Sequence, residues 1–150
     1  MPVIIREFRH DDIADLLGMM RDLANFEGYL DDFRVGAKDL ENFGLTKNPS
    51  FQAHVAQTPT GELAGMAVTY IVPWTYDMQT TLVMKELYVK PQWRSKNIGE
   101  QLLQAVFRYG DNIGASRIQW TVLKTNSRAI KFYQRNGGAH DQIWDLWGRA

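Results

Sequence analysis

The first third of the chain contains one short apolar run and one longer amphipathic pattern. VIIREF, residues 3–8, is rich in β-branched residues and predicts a first strand. In residues 10–27 the apolar positions recur at helical spacing, and Asp11 or Asp12 can cap the start, which predicts a helix with one buried face. These positions are Ile13, Leu16, Leu17, Met20, Leu23 and Ala24. The polar, glycine-broken residues 28–50 predict a surface segment with one short helix at AKDLENF.

The middle of the chain contains short apolar runs separated by turn residues. FQAHVAQT, residues 51–58, and LAGMAVTYIV, residues 63–72, flank the turn PTGE and predict a β-hairpin. TLVMKELYV, residues 81–89, predicts a further strand that ends before Lys90 and Pro91. Three consecutive strands are therefore predicted here.

The last third of the chain returns to helical spacing twice. Apolar residues at 98, 102, 103, 106 and 107 predict a helix from about Ile98 to the turn GDNIG. RIQWTV, residues 117–122, predicts a buried strand. NSRAIKFYQRNGGA predicts a helix capped by Asn126 or Ser127 and stopped by the glycines at 137 and 138. With a last strand at QIWDLWG, the order of elements predicts an α/β (α+β) protein built around a mixed sheet.

Composition and charge exclude several classes of protein. The 150 residues, 45% of them apolar, can bury one good core, so residues 1–150 are predicted to form a single domain. Lys plus Arg equals Asp plus Glu at 17 each, so no overall field attracts nucleic acid or an anionic membrane. Without cysteine, a disulfide framework and sulfur-ligated zinc are impossible. His10, His54 and His140 lack ligand spacing, so no metal site is predicted.

The N-terminus and the apolar runs argue against targeting or membrane segments. Arg6 and Glu7 interrupt the first apolar run, which is wrong for a signal peptide. No apolar run approaches the roughly 20 residues that span a bilayer. We therefore expect a cytoplasmic protein that binds neither a membrane nor nucleic acid.

A basic turn, RSKNIG, stands where the helix near Ile98 is predicted to begin. The first N–H groups of a helix lack intrahelical partners and the helix dipole is positive there, so such a turn can bind a phosphate or pyrophosphate. Gly99 allows a ligand close to the backbone, and Arg94 and Lys96 can add charge. The alternative is an ordinary basic loop that caps a core helix.

ELYVKPQWRSKNIGEQLL, residues 86–103, and NSRAIKFYQRNGG, residues 126–138, together resemble the GNAT superfamily of acetyl-CoA-dependent N-acetyltransferases. Its pyrophosphate signature is Gln or Arg, two variable residues, Gly, one variable residue, then Gly or Ala, and it maps onto Arg94–Gly99. Asn97 replaces the first glycine, and Asn tolerates a left-handed backbone. The resemblance covers nearly the whole chain and implies a GNAT-like mixed, mostly antiparallel sheet flanked by helices. It also implies acetyl-CoA as the donor, with CoA as the product.

The resemblance further implies which residues hold acetyl-CoA. In the family, the strand before the phosphate turn splays from its neighbour and exposes backbone groups to the pantetheine arm, and the N–H of Leu87 is the group expected to polarise the thioester carbonyl. Asn126 matches a position that contacts the cofactor, and capping the last helix is an equally physical use for it. The implied cofactor-binding residues are Leu87, Tyr88, Val89, Arg94, Ser95, Lys96, Asn97, Ile98, Gly99, Glu100, Asn126 and Phe132.

Acetyl transfer from a thioester to an amine needs a neutral amine, a stabilised oxyanion and a proton for the departing thiolate. Tyr133 matches the family's tyrosine near the sulfur, so we expect it to act as the acid; the alternative is a core aromatic beside Phe132. Glu86 shares a strand with the pantetheine contacts, and its side chain should point opposite to that of Leu87. It could deprotonate the amine, or be a solvated or paired residue. Lys85 stands beside it, where diamine enzymes sometimes carry an acid.

LANFEGYLDDFRVGAKDLENFGL, residues 23–45, adds a closer likeness to the diamine acetyltransferases that act on spermidine and spermine, and to relatives that acetylate thialysine. This likeness implies a small polyamine-like primary amine as acceptor, with thialysine-like amino acids and protein amines as alternatives. Carboxylates and aromatic faces in two loops suit an extended polycation, although acidic loop residues are usually only solvated. The candidate substrate-binding residues are Glu27, Tyr29, Asp31, Trp74 and Tyr76, beside Asp32 and Asp77.

Two further alternatives concern catalysis and assembly. Asn97 raises the hypothesis of a fold that has lost catalysis and now senses acyl-CoA or binds a partner protein, against which Tyr133, Gly99 and Arg94 argue. Trp144 and Trp147 lie in the predicted last strand. They either form an edge for a homodimer, as the C-terminal strands of relatives commonly do, or close the core of their own chain. We expect a homodimer.

Overall fold

Residues 2–149, which the computed structural model describes, form five strands and four helices. The strands are Ile4–Glu7 (β1), Gln52–Gln57 (β2), Leu63–Pro73 (β3), Thr80–Val89 (β4) and Ala115–Trp120 (β5). The helices are Ile13–Glu27 (α1), Ala37–Gly44 (α2), Ile98–Asn112 (α3) and Ser127–Arg135 (α4). Single 3-10 turns lie at His10–Asp12, Leu30–Asp32 and Pro91–Trp93. Among these described helices, none is long and apolar enough to cross a membrane.

The five strands form one mixed sheet in the order β1-β2-β3-β4-β5. The first three neighbouring pairs are antiparallel, and β4 and β5 are parallel. A parallel pair needs a crossover connection, and α3 supplies it. The predicted mixed, mostly antiparallel sheet with flanking helices is confirmed.

Each face of the sheet is covered by one hydrophobic cluster. On the first face, α1 buries Leu16 and Met19 against Met66 of β3, and α2 adds Leu40. On the second face, α3 buries Leu102 with its neighbours against Leu82 of β4 and the rest of that cluster. The helical spacing of apolar residues that predicted α1 and α3 therefore marks the faces that the sheet buries.

The prediction that the Asp12 side chain caps α1 is wrong. Its carboxylate accepts two hydrogen bonds from the Arg6 guanidinium, at 2.7 and 3.0 Å, and one from the backbone N–H of Arg9 at 2.7 Å. It makes no capping hydrogen bond to α1. Asp12 instead ties β1 to the turn that leads into α1.

Two strand predictions near the C-terminus need correction. The strand predicted over residues 117–122 is β5, which lies at the edge of the sheet with Ser116 and Gln119 exposed, so it is not a buried strand. The strand predicted at residues 142–148 does not form. The Asp141 carboxylate accepts the backbone N–H groups of Ile143 and Trp144 at 2.7 and 2.8 Å, which bends the backbone instead of extending it.

The tryptophans of this last segment do not close the core of their own chain. Trp144 is 74% exposed and Trp147 is 90% exposed. That alternative is wrong, because the two faces of the sheet are already covered by the four helices.

Candidate active site

A cleft opens where β4 extends beyond β5. The parallel pairing stops at Met84 and Trp120, whereas β4 continues to Val89 with β3 as its partner. The cleft has a volume of about 830 Å³ and is lined by β4, α4, the end of α1 and residues 93–100. The structure thus has the separation of these two strands that the family resemblance implied.

A β-bulge at Lys85 determines the face of the sheet on which Glu86 lies. Met84 and Glu86 pair with consecutive residues of β3, so Lys85 has no partner there. Met84 and Leu87, three residues apart, both contact the cluster on the α3 side. Glu86 shares the opposite face with its pairing partner Val68, which belongs to the cluster on the α1 side. The bulge therefore directs the Glu86 carboxylate toward the C-terminal end of α1.

The Glu86 carboxylate is buried and has an unusual protonation equilibrium. Burial raises its pKa to about 7, with a smaller opposing effect from Lys85 and a further increase from Glu27. Its Oε2 atom is buried and has no hydrogen-bond partner. Among residues 2–149 the Glu86 side chain makes no hydrogen bond or ion pair, so the alternative of a paired sheet residue finds no support, and its role as the base stays a prediction. A carboxylate that titrates near neutral pH is suited to accept a proton from a bound amine.

The Tyr133 side chain comes from α4 and lines the same cleft as Glu86. Its ring lies 5.2 Å from that of Trp120 and 5.3 Å from that of Phe132, measured between centroids. Burial raises the pKa of Tyr133 to about 12, and the charge of Glu27 adds to the shift. The phenol therefore stays protonated at neutral pH and can donate a hydrogen bond into the cleft. Tyr133 therefore packs against other aromatic rings and also lines the cleft, and its role as the acid stays a prediction.

The basic turn has a left-handed backbone at two residues that are not glycine. Asn97 has φ 65° and ψ 16°, and Ser95 has φ 61°. Asn97 immediately precedes α3, and its carbonyl accepts the N–H of Gln101 at 3.2 Å. The expectation that Asn97 keeps the turn of the signature glycine is confirmed, since Asn is among the residues that best tolerate this region.

The backbone of Asn97 leads to a stability prediction. We expect Asn97→Ala to be less stable than Asn97→Gly by about 1 kcal/mol, because both variants lose the side chain and only Ala pays the left-handed strain. Urea unfolding of the two variants measures the difference. Equal free energies of unfolding would show that the backbone angle at Asn97 is not a source of strain.

All residues predicted to hold the cofactor line the cleft, but some have additional structural contacts. The Arg94 Nε atom donates to the carbonyl of Val89 at 2.9 Å, so this side chain folds back onto β4. A Cβ atom on Gly99 would lie 3.4 Å from Phe132 Cζ, which is ordinary van der Waals contact, so Gly99 packs against Phe132 of α4 without a steric need for glycine. The Asn126 side chain accepts the N–H of Ala129 at 3.1 Å, which confirms its capping role.

The acceptor candidates of the first loop lie near Glu86. Glu27, at the end of α1, lines the cleft, and burial raises its pKa against the opposing charge of Lys85. Burial, together with the charges of Glu86 and Glu27, raises the pKa of Tyr29 to about 12. Asp31 is exposed in the following 3-10 turn. The structure thus places Glu27 in the cleft with Glu86, whereas Tyr29 does not line the cleft and only feels the charges of both carboxylates, and Asp31 stays at the surface.

The acceptor candidates of the second loop lie elsewhere. Trp74 and Tyr76 belong to the turn between β3 and β4, at the end of β4 opposite to Val89, and neither lines the cleft. The Arg117 guanidinium lies 4.4 Å from the centroid of the Trp74 ring and 3.7 Å from an Asp77 oxygen. The aromatic face and the carboxylate predicted for a polycation are therefore occupied by a cation of the same chain.

Comparison of the sequence with known protein families shows which family this chain belongs to. Residues 17–138 match the family described as Acetyltransferase (GNAT) family. The chain belongs to the GNAT family. It is an N-acetyltransferase domain by this membership, and its family uses acetyl-CoA as the acetyl donor.

Individual relatives resemble this GNAT chain over most of its length. The thialysine N-epsilon-acetyltransferase of Mus musculus is 30% identical over 137 residues, covering 87% of this chain and 80% of that protein. The enzyme of the same description from Sus scrofa is 28% identical over 142 residues, covering 90% and 83%. An integron cassette protein from the mobile metagenome of V. cholerae has the same fold, with a TM-score of 0.79 and 24% identity over 100% of this chain and 93% of that one.

Sequence reasoning missed several residues of the GNAT cleft. Phe26, Trp93, Arg128 and Arg135 also line it. Arg128 and Arg135 stand four before and three after Phe132, so helical spacing alone places all three on one face of α4. That signal was available in the sequence. Trp93 and Phe26 carried no comparable signal, because an isolated aromatic residue is as typical of a core as of a cleft.

Proposed function

We propose that this protein transfers the acetyl group of acetyl-CoA to a primary amine of a small acceptor by direct transfer. The observation that carries the proposal is that Glu86, with one buried and unpartnered carboxylate oxygen, and the Tyr133 phenol line one cleft. Direct transfer needs a proton acceptor at the amine and a proton donor at the sulfur. Glu86 is the proposed proton acceptor and Tyr133 the proposed proton donor.

The residues of the turn support acetyl-CoA as the donor. The left-handed turn at Asn97 leads directly into α3, so the first N–H groups of this helix border the cleft. Arg94, Lys96 and Arg128 line the same region and can pair with phosphate oxygens. When bound, acetyl-CoA supplies an activated acetyl thioester, and the residues that would hold it are those of the turn and of β4.

The proposed reaction can be followed by its bonds and protons. The amine nitrogen attacks the thioester carbonyl carbon, a C–N bond forms and the C–S bond breaks. Glu86, directly or through a water, takes the proton that the nitrogen loses, and Tyr133 donates its hydroxyl proton toward the departing sulfur. The N–H of Leu87, on the part of β4 beyond β5, is the proposed donor to the carbonyl oxygen.

The acceptor is proposed to be a small molecule with a primary amine, of the polyamine or thialysine type. Glu27 and Tyr29 support this class, since a carboxylate and an aromatic ring beside Glu86 suit an alkylammonium group. Relatives are described as thialysine N-epsilon-acetyltransferase and as spermidine/spermine N(1)-acetyltransferase-like protein 1. Both descriptions involve an amine on a flexible aliphatic chain.

Release of free CoA from acetyl-CoA in the presence of a panel of diamines, polyamines and amino acids with side-chain amines tests the proposal. We expect release with at least one acceptor, and saturable binding of acetyl-CoA by calorimetry without any acceptor. Binding without release for every amine would favour the acyl-CoA sensor. No binding at millimolar acetyl-CoA would favour a partner-binding protein.

The segment after α4 supports assembly with a second copy of the chain. Ile143, Trp144, Leu146 and Trp147 form an exposed apolar segment after α4, with exposed fractions between 74% and 90%. Such a segment supports pairing with a second copy of the chain, as predicted from the sequence. A homodimer therefore remains the proposed assembly, and the cytoplasm remains the location expected from the sequence.

A further inference from the structure

Lys85 lies at the wall of the cleft without a partner of its own. The bulge removes it from pairing with β3, its side chain is exposed, and it lines the cleft with Glu27 and Glu86. Among the ion pairs of residues 2–149, none includes Lys85, Glu27 or Glu86. Its ammonium is therefore available to a ligand.

The cleft combines two carboxylates, Glu27 and Glu86, with the ammonium group of Lys85, whose positive charge does not suit a diamine. Burial raises the pKa of both carboxyl groups and the charge of Lys85 opposes that rise, so its charge acts on Glu27 and Glu86 alike. Glu86 is assigned to the reacting amine, which leaves Glu27 and Lys85 to meet the rest of the acceptor. A diamine brings only positive charge and would be repelled by Lys85, whereas one ammonium and one carboxylate would satisfy both residues.

We infer that Lys85 is a specificity-determining residue that binds a carboxylate of the acceptor, so that the preferred substrates are amino acids with a primary amine at the end of the side chain. The inference rests on the proposed acetyl transfer to a small amine and narrows its substrate class. In the bound acceptor, Glu27 pairs with the α-ammonium, Lys85 with the α-carboxylate, and Glu86 with the distant amine.

Matched acceptors that differ by one carboxylate test this inference. L-Lysine is compared with cadaverine, and L-ornithine with putrescine, by kcat/KM for CoA release in the wild type, Lys85→Met and Lys85→Glu. We expect the wild type to favour the amino acid of each pair by about tenfold or more, Lys85→Met to lose most of the preference, and Lys85→Glu to favour the diamine. Lys47→Glu, at an exposed residue between α2 and β2 outside the cleft, makes the same change in net charge and should keep the wild-type ratio.

The outcomes separate the inference from the function on which it rests. A wild type that favours the diamines, or a ratio that is the same in Lys85→Glu as in the wild type, overturns the role of Lys85 and leaves acetyl transfer standing. No CoA release with any acceptor overturns the proposed function and the inference together. A ratio that changes equally in Lys47→Glu would show an effect of net charge alone and would also overturn the role of Lys85.

Discussion

Glu86→Gln is expected to lower kcat/KM for the amine by about 10²- to 10⁴-fold, which is the range of general-base contributions. The substitution keeps the shape of the side chain and removes its ability to accept a proton. The buried Oε2 atom and the pKa of about 7 are the reasons to assign the base to this residue. Steady-state rates of CoA release measure the effect.

The pH profile distinguishes a base from a residue that only shapes the cleft. In the wild type, kcat/KM should rise with pH through about 7 as Glu86 loses its proton, and this limb should be absent in Glu86→Gln. Glu41→Gln, at an exposed carboxylate on α2, is the matched control and should keep both rate and profile. An unchanged limb in Glu86→Gln would assign the base to another group.

The same substitution has a signature in stability that does not depend on catalysis. Because folding raises the pKa of Glu86 from 4.5 to about 7, its contribution to stability is complete below pH 4.5 and is lost as the pH rises through about 7. The full loss at pH 8 is at most about 3 kcal/mol. Glu86→Gln should remove this pH dependence, so the difference in unfolding free energy between pH 5 and pH 8 should be smaller than in the wild type.

Tyr133→Phe is expected to lower kcat by about 10²-fold, with little change in the Kd for acetyl-CoA. Burial keeps the phenol protonated, with a pKa of about 12, and the variant keeps the ring that packs on Trp120 and Phe132. A thiol has an ordinary pKa near 8.5, so the phenol is a weaker acid than the leaving group that it serves. Transfer of its proton to the developing thiolate is therefore uphill, so the expected loss lies at the lower end of the range for acid catalysis.

A matched control separates this role from aromatic packing. Tyr109→Phe removes the hydroxyl of a tyrosine on α3 that packs against His54 and does not line the cleft. It should leave kcat and the Kd for acetyl-CoA unchanged. If Tyr133→Phe turns over like the wild type, Tyr133 is a packing residue, and the proton donor must lie elsewhere.

The local elements of the fold could be predicted because they depend on neighbours in the sequence. Apolar spacing predicts α1 and α3 from the residues that they bury, such as Leu16 and Leu102. The turn at Asn97 could also be predicted, because it precedes a predicted helix and asparagine tolerates a left-handed backbone. In the candidate site, Tyr133, Glu86 and the residues of the turn were found by resemblance to a family, and the structure places them in one cleft.

Other features depend on contacts between distant residues and could not be predicted in this way. The segment at residues 142–148 has apolar residues, yet within residues 2–149 it pairs with no strand and leaves the outer edge of β5 open, because the Asp141 carboxylate bends its backbone. Trp74 was expected to receive a substrate cation, and only the packing of β5 beside the β3–β4 turn shows that Arg117 covers it.

The sequence by itself determined the family, the order of the helices and the paired strands, and the chemical groups available for acetyl transfer. Only the tertiary structure decided where those groups point. Strict alternation from Met84 would place Glu86 on the α3 side of the sheet, and the bulge at Lys85 moves it to the side of Glu27. The reason is that a bulge arises from the pairing of two strands, so the order of apolar and polar residues in one strand does not reveal it.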